Sequence, residues 1–476
     1  MKTLRTNLSL ISKDCFLRND EKYHLMVVSQ KGNLFSTPVE DNIPLYDILQ
    51  EEYTPFNYEE GCEYKGIPTG QAYIDEDGDI IDYQPVTADN HPERLEYAIT
   101  SDNILISSLR LAKSPALLFS DINLSEFVFS NGFYVFKVKK GWHKKFVLHL
   151  LRSKRLKALI DNNLYRGIGI SSYRVDDLLK CEIKHIPLDI QKEAVKRIEL
   201  YEKEINSLKQ KVKNPQHIID SVFEIHFGFD YIRFHELKQN KMFEKKLSDY
   251  SNNPDLRFSA KFLRDAGVFV MSQLTDVTDK KIKHFLSEPI VLGASISPRD
   301  YSESGDYLYI SMATIKGWQL DPENANFVSK EYFDAKSKKT VQKNDIILAR
   351  SGEGTIGKVA LIDDDNTQGV FSDFTMRIRL KDYNPEFAYY YFRTSYFQYL
   401  IEIYKKGLGN NTNIFPVVVQ EFPMIDQSLD EQQQIVDEIH SEIDKQNDSK
   451  AQIASLRKEI DRIIENTVLG RETDNG

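Results

Sequence analysis

The sequence predicts an α+β protein: two tandem-duplicated mixed α/β domains, each followed by a long helix, with the two helices pairing as an antiparallel coiled coil. Three observations predict this fold. The chain has 476 residues, enough for two or three domains with separate cores. Short sequence matches recur at a nearly constant spacing. Two segments carry a narrow apolar seam, which is typical of helices packed against another helix.

The duplication is visible as six collinear matches whose offsets lie between 239 and 242 residues. Shared helix periodicity would account for the helical pairs, but it accounts for neither the repeated glycine pair nor the repeated strand. We therefore infer an internal duplication. The matched pairs are Leu17–Tyr23 with Leu256–Phe262, Asp102–Ser107 with Asn344–Ala349, Phe146–Ser153 with Phe387–Thr394, Leu159–Ile160 with Leu400–Ile401, Gly167–Gly169 with Gly407–Gly409, and Gln191–Ile198 with Gln432–Ile439.

Each half begins with short strands and turns and continues into a helix with an aromatic or apolar face. In the second half, Asn384-Pro385 gives the start signal of that helix, since asparagine caps a helix and proline fits its first turn. The predicted elements are a strand at Phe133–Val138 and a helix at Lys145–Ile160 in the first half, then strands at Asp306–Ile310 and Asn344–Leu348, a loop at Gly352–Gly357 and a helix at Phe387–Tyr404 in the second.

A long helix closes each half. The second runs from Asp430 to about Val468, with apolar residues three and four apart and charges on its other faces. Asn214-Pro215 interrupts the first, because proline ends one helix and suits the start of another. The predicted domains are residues 1–186 and 229–427, the helical spacers are residues 187–228 and 428–470, and residues 471–476 form a disordered tail.

The net charge of −10 hides an uneven distribution. Residues 40–96 contain sixteen acidic and two basic residues, whereas residues 137–166 contain ten basic and one acidic. A locally basic surface on an acidic protein is compatible with nucleic-acid binding. Three widely spaced cysteines, no apolar run of membrane-spanning length and no signal-peptide pattern predict a cytoplasmic protein without a disulfide framework.

Two segments partly match a nucleotide-binding or a nuclease motif, and neither is predicted to be such a site. Gly352–Lys358 fits the start of a phosphate-binding loop, but no Ser or Thr follows and Val359–Ile362 predicts a strand instead of a helix. Asp255 with Asp279–Lys281 loosely fits a nuclease carboxylate set, but the lysines lie in a polar, loop-like stretch. We therefore predict no catalytic residues and no metal site, and the chain is expected not to be an enzyme.

The order of motifs resembles the specificity subunits of type I restriction-modification systems over nearly the whole chain. In these proteins a variable domain ends in an apolar residue and proline, a Gln-x-x-[AI]-Val-x-x-Ile helix start follows, and the whole unit repeats. The usual Glu-Gln pair is kept in the second copy but is Ile-Gln in the first. The residues that carry the resemblance are Ile186-Pro187, Phe422-Pro423, Ile190-Gln191, Glu431-Gln432, Val341–Lys358 and Asp255–Phe262.

The resemblance implies two target-recognition domains that bind double-stranded DNA, and a helical pair on which DNA methyltransferase (M) subunits dock, with two such subunits expected. Restriction (R) subunits would join the complex, and S-adenosylmethionine, ATP and magnesium would be bound by these partners.

A helix of about 39 residues spans about 58 Å at about 1.5 Å per residue, which exceeds one turn of B-DNA at about 34–36 Å. Two domains at its ends would read a bipartite target.

Two other functions stay open from the sequence. The chain could target a related fused methyltransferase-nuclease, or it could be a coiled-coil scaffold that binds proteins and no DNA.

We predict DNA contacts from basic and loop residues, since Lys and Arg bind phosphates and loop amides match base edges. The predicted DNA-binding residues are Lys139, Lys140, Lys144, Lys145, Arg350, Ser351, Thr355, Lys358, Arg377 and Asn411. The residues predicted on the partner-docking helices are Gln191, Val195, Ile198, Gln432, Val436 and Ile439.

Overall fold

The fold is taken from a computed structural model, which describes residues 42–109, 115–119, 122–164, 172–240, 242–246, 263–303, 305, 307–352, 354–407 and 409–470. Four segments used in the sequence analysis lie outside the described residues: Leu17–Tyr23, Asp255–Phe262, Gly167–Gly169 and the tail after residue 470.

The chain forms two compact units. The first unit combines residues 1–210 with residues 450–476, and the second consists of residues 211–449. The last helix of the chain therefore contributes its first part to the second unit and its last part to the first.

The described residues of the first unit form ten strands in three sheets. The largest has the order β3-β6-β8-β4-β5, a second has the order β2-β9-β7, and β1 pairs with β10. Its strands are β1 (Asn42–Pro44), β2 (Leu49–Glu51), β3 (Thr54–Pro55), β4 (Glu63–Ile67), β5 (Gln84–Thr87), β6 (Leu95–Ala98), β7 (Asn103–Ser107), β8 (Phe127–Ser130), β9 (Phe133–Val138) and β10 (Glu182–Lys184). Its helices are α1 (Lys144–Arg152), α2 (Lys154–Leu159), α3 (Val175–Leu179) and α4 (Leu188–Lys211).

The part of the second unit that the structure describes has two four-stranded sheets, β11-β20-β17-β18 and β12-β16-β13-β19, and a hairpin of β14 and β15. Its helices are α5 (Pro215–Phe227), α6 (Tyr231–Gln239), α7 (Asp265–Val277), α8 (Lys330–Ala335), α9 (Pro385–Arg393), α10 (Ser395–Tyr404) and α11 (Pro416–Val419), followed by α12 (Leu429–Leu469). Its strands are β11 (Val291–Leu292), β12 (Tyr301–Ser302), β13 (Leu308–Ile310), β14 (Ile315–Lys316), β15 (Gln319–Leu320), β16 (Asn326–Val328), β17 (Ile346–Ala349), β18 (Val359–Leu361), β19 (Gly369–Phe371) and β20 (Thr375–Ile378).

The same strand pairings occur in both units at the repeat spacing. In the first unit β7 pairs antiparallel with β9, and β4 pairs parallel with β8. In the second, β17 pairs antiparallel with β20 and β13 pairs parallel with β19. The predicted fold of two duplicated mixed α/β domains with long helices is therefore confirmed.

Each helix predicted after the strands is in fact two helices. Ser153 separates α1 from α2, and Thr394 separates α9 from α10. Both residues have an extended ψ, 144° and 149°. Each hydroxyl accepts a hydrogen bond from the backbone N–H of the residue three positions later, as the side chain of a helix cap does. Prediction of one continuous helix was wrong because this hydroxyl competes with the helix for the backbone N–H.

The proline in the first long helix acts as predicted. Helix α4 ends at Lys211, and α5 begins at Pro215 with Asn214 as its cap, whose side chain accepts the N–H of Gln216 at 3.0 Å. Within the second unit α5 runs antiparallel to the first part of α12. The N–H of Lys213 donates to the Gln446 side chain at 2.8 Å, and His226 lies 2.8 Å from Glu438.

We call the two long helices α4 and α12 the supporting helices. A buried glutamine joins the start of each supporting helix to its domain. The Gln191 carbonyl oxygen accepts the N–H of His143, the cap of α1, at 2.8 Å, and its amide donates to Ile186 O at 2.7 Å. In the second unit Gln432 accepts the N–H of Asn384, the cap of α9, at 2.7 Å and donates to Gln427 O at 2.8 Å.

The two glutamine clamps are copies of each other. All three positions of each clamp are related by the 241-residue repeat, and the glutamine side chains are 0% and 1% exposed. A buried amide whose oxygen and nitrogen are both bonded fixes the helix start against the domain.

These glutamines and the four other residues predicted on the docking helices are buried in their own units. Val195, Ile198, Val436 and Ile439 are at most 3% exposed. Their side chains therefore do not form an accessible docking surface. They hold the helices against the domains, and only the opposite helix faces stay accessible.

We expect Gln432→Leu to lower the free energy of unfolding by about 1–3 kcal/mol, because it leaves the Asn384 N–H and the Gln427 carbonyl buried without partners. Gln434→Leu, at an exposed position on the same helix, is the matched control and should change stability by less than about 0.5 kcal/mol. Urea unfolding of the full chain measures both. Equal effects of the two substitutions would contradict the clamp.

Candidate nucleic-acid interface

Three loops of the second unit meet at one end of the strands of the β11-β20-β17-β18 sheet. We call residues 350–352, 354–358, 372–374, 406–407 and 409–415 the loop cluster. The N–H of Arg350 donates to Phe374 O at 3.0 Å, the N–H of Ile414 to Arg350 O at 2.9 Å, and the N–H of Gly352 to Thr412 O at 3.3 Å. These backbone bonds hold loops that follow β17, precede β20 and follow α10 as one surface.

The loop cluster combines a guanidinium with exposed aromatic rings. Arg350 donates from Nε to Asp373 O at 2.7 Å, and its guanidinium lies 5.7 Å from the ring centre of Phe415. Phe374 and Phe415 are 49% and 41% exposed. The sequence analysis missed both phenylalanines. An aromatic residue within a polar loop directly beside a strand or helix end is the signal that would have found them.

Besides Arg350, Lys358 and Asn411 are the predicted residues in these loops with side chains available for a ligand. Lys358 is half-buried, and within the described part of the chain its ammonium has no hydrogen-bond or ion-pair partner. Asn411 is exposed. An unpaired ammonium and an amide on adjoining loops suit phosphate and base-edge contacts, respectively.

Ser351 and Thr355 are used by the loop itself. The Ser351 hydroxyl, on a residue 6% exposed, donates to Thr412 O at 3.2 Å, and the Thr355 hydroxyl donates to Ser351 O at 2.8 Å. Gly352 has φ +84°, and a Cβ there would lie 2.7 Å from Thr355 Oγ1. These groups therefore shape the turn and are not free to contact a ligand. The turn leads into β18, so it is no phosphate-binding loop, as expected.

Arg377 does not lie on this surface. It is 5% exposed on β20, its Nη2 lies 2.5 Å from Glu288 Oε1, and its Nη1 donates to the Thr340 carbonyl. The prediction that Arg377 contacts DNA is wrong, because strand pairing turns its side chain into the domain, where a carboxylate neutralises it.

The four predicted lysines of the first unit are mostly bound to their own unit. Lys139 donates to Tyr46 O at 2.6 Å, and Lys144 lies 2.5 Å from Asp102. Lys145 lies 2.9 Å from Glu199 on α4. Only Lys140 is exposed and, among the described residues, without a partner. The basic run therefore offers less unpaired positive charge than its sequence indicates.

The described ranges contain neither a candidate metal site nor a candidate membrane span. No group of three or more His, Cys, Asp or Glu residues there could hold a metal ion. No described helix is long and apolar enough to cross a membrane.

Comparison with known proteins identifies the family. A family model described as "Type I restriction modification DNA specificity domain" matches residues 78–215 and 270–456, which together exceed half of the chain. A search of curated proteins gave no match.

Three solved chains are similar over about nine tenths of this chain. One, from work on complex assembly and conformational transition of the type I R-M system, has 14% identity, a TM-score of 0.49 and coverage of 90% of this chain and 98% of that chain. The HsdS subunit from Thermoanaerobacter tengcongensis has 14% identity, a TM-score of 0.34 and coverage of 90% and 97%. The type I restriction-modification S subunit from M. genitalium has 11% identity, a TM-score of 0.41 and coverage of 91% and 98%.

The family match falls once on each half of a chain whose halves share strand pairings, helix breaks and glutamine clamps. The chain therefore belongs to the type I restriction-modification DNA specificity family and carries the specificity domain twice.

Proposed function

We propose that this chain is the non-catalytic, cytoplasmic specificity subunit of a type I restriction-modification complex. It reads a bipartite target in double-stranded DNA, one half-site per domain. DNA methyltransferase subunits, two in number, dock on its helices, restriction subunits join them, and S-adenosylmethionine, ATP and magnesium are bound by these partners. The observation that carries the proposal is the family match on both of two structurally repeated halves.

The loop cluster is the proposed DNA surface of the second domain. Arg350 and Lys358 supply positive charge for phosphates, and phosphate contacts give affinity without sequence information. Asn411 supplies an amide for base edges, and Phe374 and Phe415 supply apolar contact, which thymine methyl groups accept. The turn at Gly352 lets the backbone approach closely.

The exposed helix faces are the proposed docking surface for the methyltransferase. Since the buried faces of α4 and α12 are covered by the chain's own domains, partners meet the opposite faces. On α4 the opposite face carries Leu200, which is 66% exposed, while Leu188 and Ile190 flank the buried stripe near the helix start and are 37% and 45% exposed. Exposed apolar side chains on an otherwise charged helix are typical of protein contacts.

DNA affinity that falls steeply with salt distinguishes this proposal from a protein-only scaffold. For the chain bound to its methyltransferase, the logarithm of the binding constant should fall linearly with the logarithm of salt concentration, by about 0.9 for each neutralised phosphate. Lys358→Ala should weaken binding to all sequences alike and lower this slope by about one.

Lys381→Ala is the matched control for Lys358→Ala. Lys381 is an exposed lysine beyond the other end of β20, so its removal changes the net charge equally without touching the loop cluster. Fluorescence anisotropy with labelled duplexes measures both. No salt dependence, or equal slopes for both variants, would contradict the proposed DNA surface.

Leu200→Asp should reduce copurification of the methyltransferase subunit at least several-fold, because it places a charge in an apolar contact. Ile81→Asp, at a residue 58% exposed in a loop of the first domain, is the control and should leave copurification unchanged. Unfolding midpoints of both variants show that the chains stay folded. Normal copurification with Leu200→Asp would exclude this helix face as the docking surface.

A further inference from the structure

An acidic loop in the first unit encloses a lysine ammonium of the supporting helix. We call residues Asp75–Asp79 the acidic loop. Lys209 on α4 places its Nζ 2.7 Å from Asp75, 2.6 Å from Asp77 and 2.9 Å from Asp79. Three carboxylates around one ammonium form a far more specific contact than a single surface ion pair.

The second supporting helix reaches the same loop. Arg457 on α12 donates from Nε and Nη2 to the two oxygens of Asp77, at 2.9 and 2.7 Å, and its Nη1 contacts Glu76. This is the bidentate arginine–carboxylate geometry, which fixes orientation as well as distance. One loop thus binds both helix segments of the unit.

The acidic loop is also shaped by hydrogen bonds of its own. Asp75 Oδ1 accepts the backbone N–H groups of Asp77 and Asp79 at 2.9 and 2.8 Å, which closes the turn. Gly78 has φ +88°, and a Cβ there would lie 2.5 Å from Arg152 Nη2. Burial opposes ionisation of Asp77, yet hydrogen bonds from Arg457 and Lys209 hold its pKa below the usual value.

Contacts of opposite polarity complete this interface. Here the domain supplies two lysines and a histidine, and the helices supply the carboxylates. Lys145 lies 2.9 Å from Glu199, and Lys154 lies 3.4 Å from Asp461. His149 lies 3.1 Å from Glu202, and because burial lowers the pKa of this histidine, the contact is a hydrogen bond of a neutral ring. The polar contacts of the first domain with α4 and with residues 450–469 of α12 therefore combine ion pairs with hydrogen bonds.

The second unit builds the corresponding contacts from aromatic and apolar side chains. At the 241-residue repeat spacing, Trp318 replaces Asp77, Tyr390 replaces His149 and Ile443 replaces Glu202. Arg393, the repeat of Arg152, lies 5.6 Å from the Trp318 ring and 5.5 Å from the Tyr390 ring. Ile443 packs against the large apolar core. Two copies of one domain are therefore held by different chemistry.

We propose that the acidic loop is an electrostatic latch that positions the first recognition domain on its two supporting helices, with Lys209 and Arg457 as positioning residues for the half-site that this domain reads. The inference rests on the proposed function. Base readout depends on side chains that meet base edges in a fixed geometry, so a domain that shifts on its support loses discrimination. The second domain does not depend on the latch.

The test compares Lys209→Met with Lys203→Met in the full chain bound to its methyltransferase. Lys203 lies on the same helix, is exposed and has no partner among the described residues, so both variants lose one charge but only the first opens the latch. Hydrogen–deuterium exchange of residues 72–81 should rise several-fold in Lys209→Met, and the wild type should approach that level as salt is raised.

Sequencing of methylated sites gives the functional readout. In Lys209→Met, methylation of sites with a mismatch in the half-site of the first domain should rise several-fold. Sites with a mismatch in the half-site of the second domain, which Arg350→Ala identifies, should stay unmethylated. Lys209→Arg should restore discrimination because it keeps the charge. Wild-type exchange and discrimination in Lys209→Met would overturn the latch. A wild-type complex without sequence-specific methylation would overturn the proposed function instead, while the exchange result would still test the latch.

Discussion

Two hydrogen bonds of a buried glutamine determine how each supporting helix meets its domain. The amide oxygen of Gln191 or Gln432 requires the N–H at the cap of a domain helix, and the amide nitrogen requires a carbonyl that precedes the supporting helix. Leaving either group unpaired in the interior would cost free energy, so the helix cannot rotate about its axis without breaking both bonds. This decides which helix face is buried and which face is left for partners.

The glutamine clamp is the same in both repeats, whereas the contacts further along the helices have diverged. The first domain is held by ion pairs centred on Lys209 and Arg457, and the second by aromatic packing of Phe223 on α5 against Phe387 and Tyr391 on α9. Partly buried charge pairs give orientation at a desolvation cost, while aromatic contacts give stability without a fixed charge pattern. The two domains thus share a fold and differ in the chemistry of their contacts with the helices.

Local signals in the sequence predicted much of the fold. The strand at Phe133–Val138, the cap at Asn214 and the duplication follow from neighbouring residues or from a constant spacing. The breaks at Ser153 and Thr394 were not predicted, although a hydroxyl residue at the same repeat position in both halves was a signal for them.

The candidate site was harder to predict because charge in a sequence does not show its partners. Lys145 meets Glu199, which is 54 residues away, and Arg377 meets Glu288 across 89 residues. Such long-range ion pairs neutralise cations that the sequence placed on the predicted DNA surface. The loop beside Arg350 could be predicted because glycine and polar residues indicate a loop within a few positions. The exposure of Phe374 could not, because it depends on which loops the fold brings together.

The proposed function requires the two duplicated domains to read two separate half-sites. This is tested by mapping every methylated site in a host genome, with this chain and its methyltransferase expressed together. We expect a split motif of two short specific blocks around a gap of fixed length. Methylation of one continuous motif, or the same methylation pattern without this chain, would contradict it.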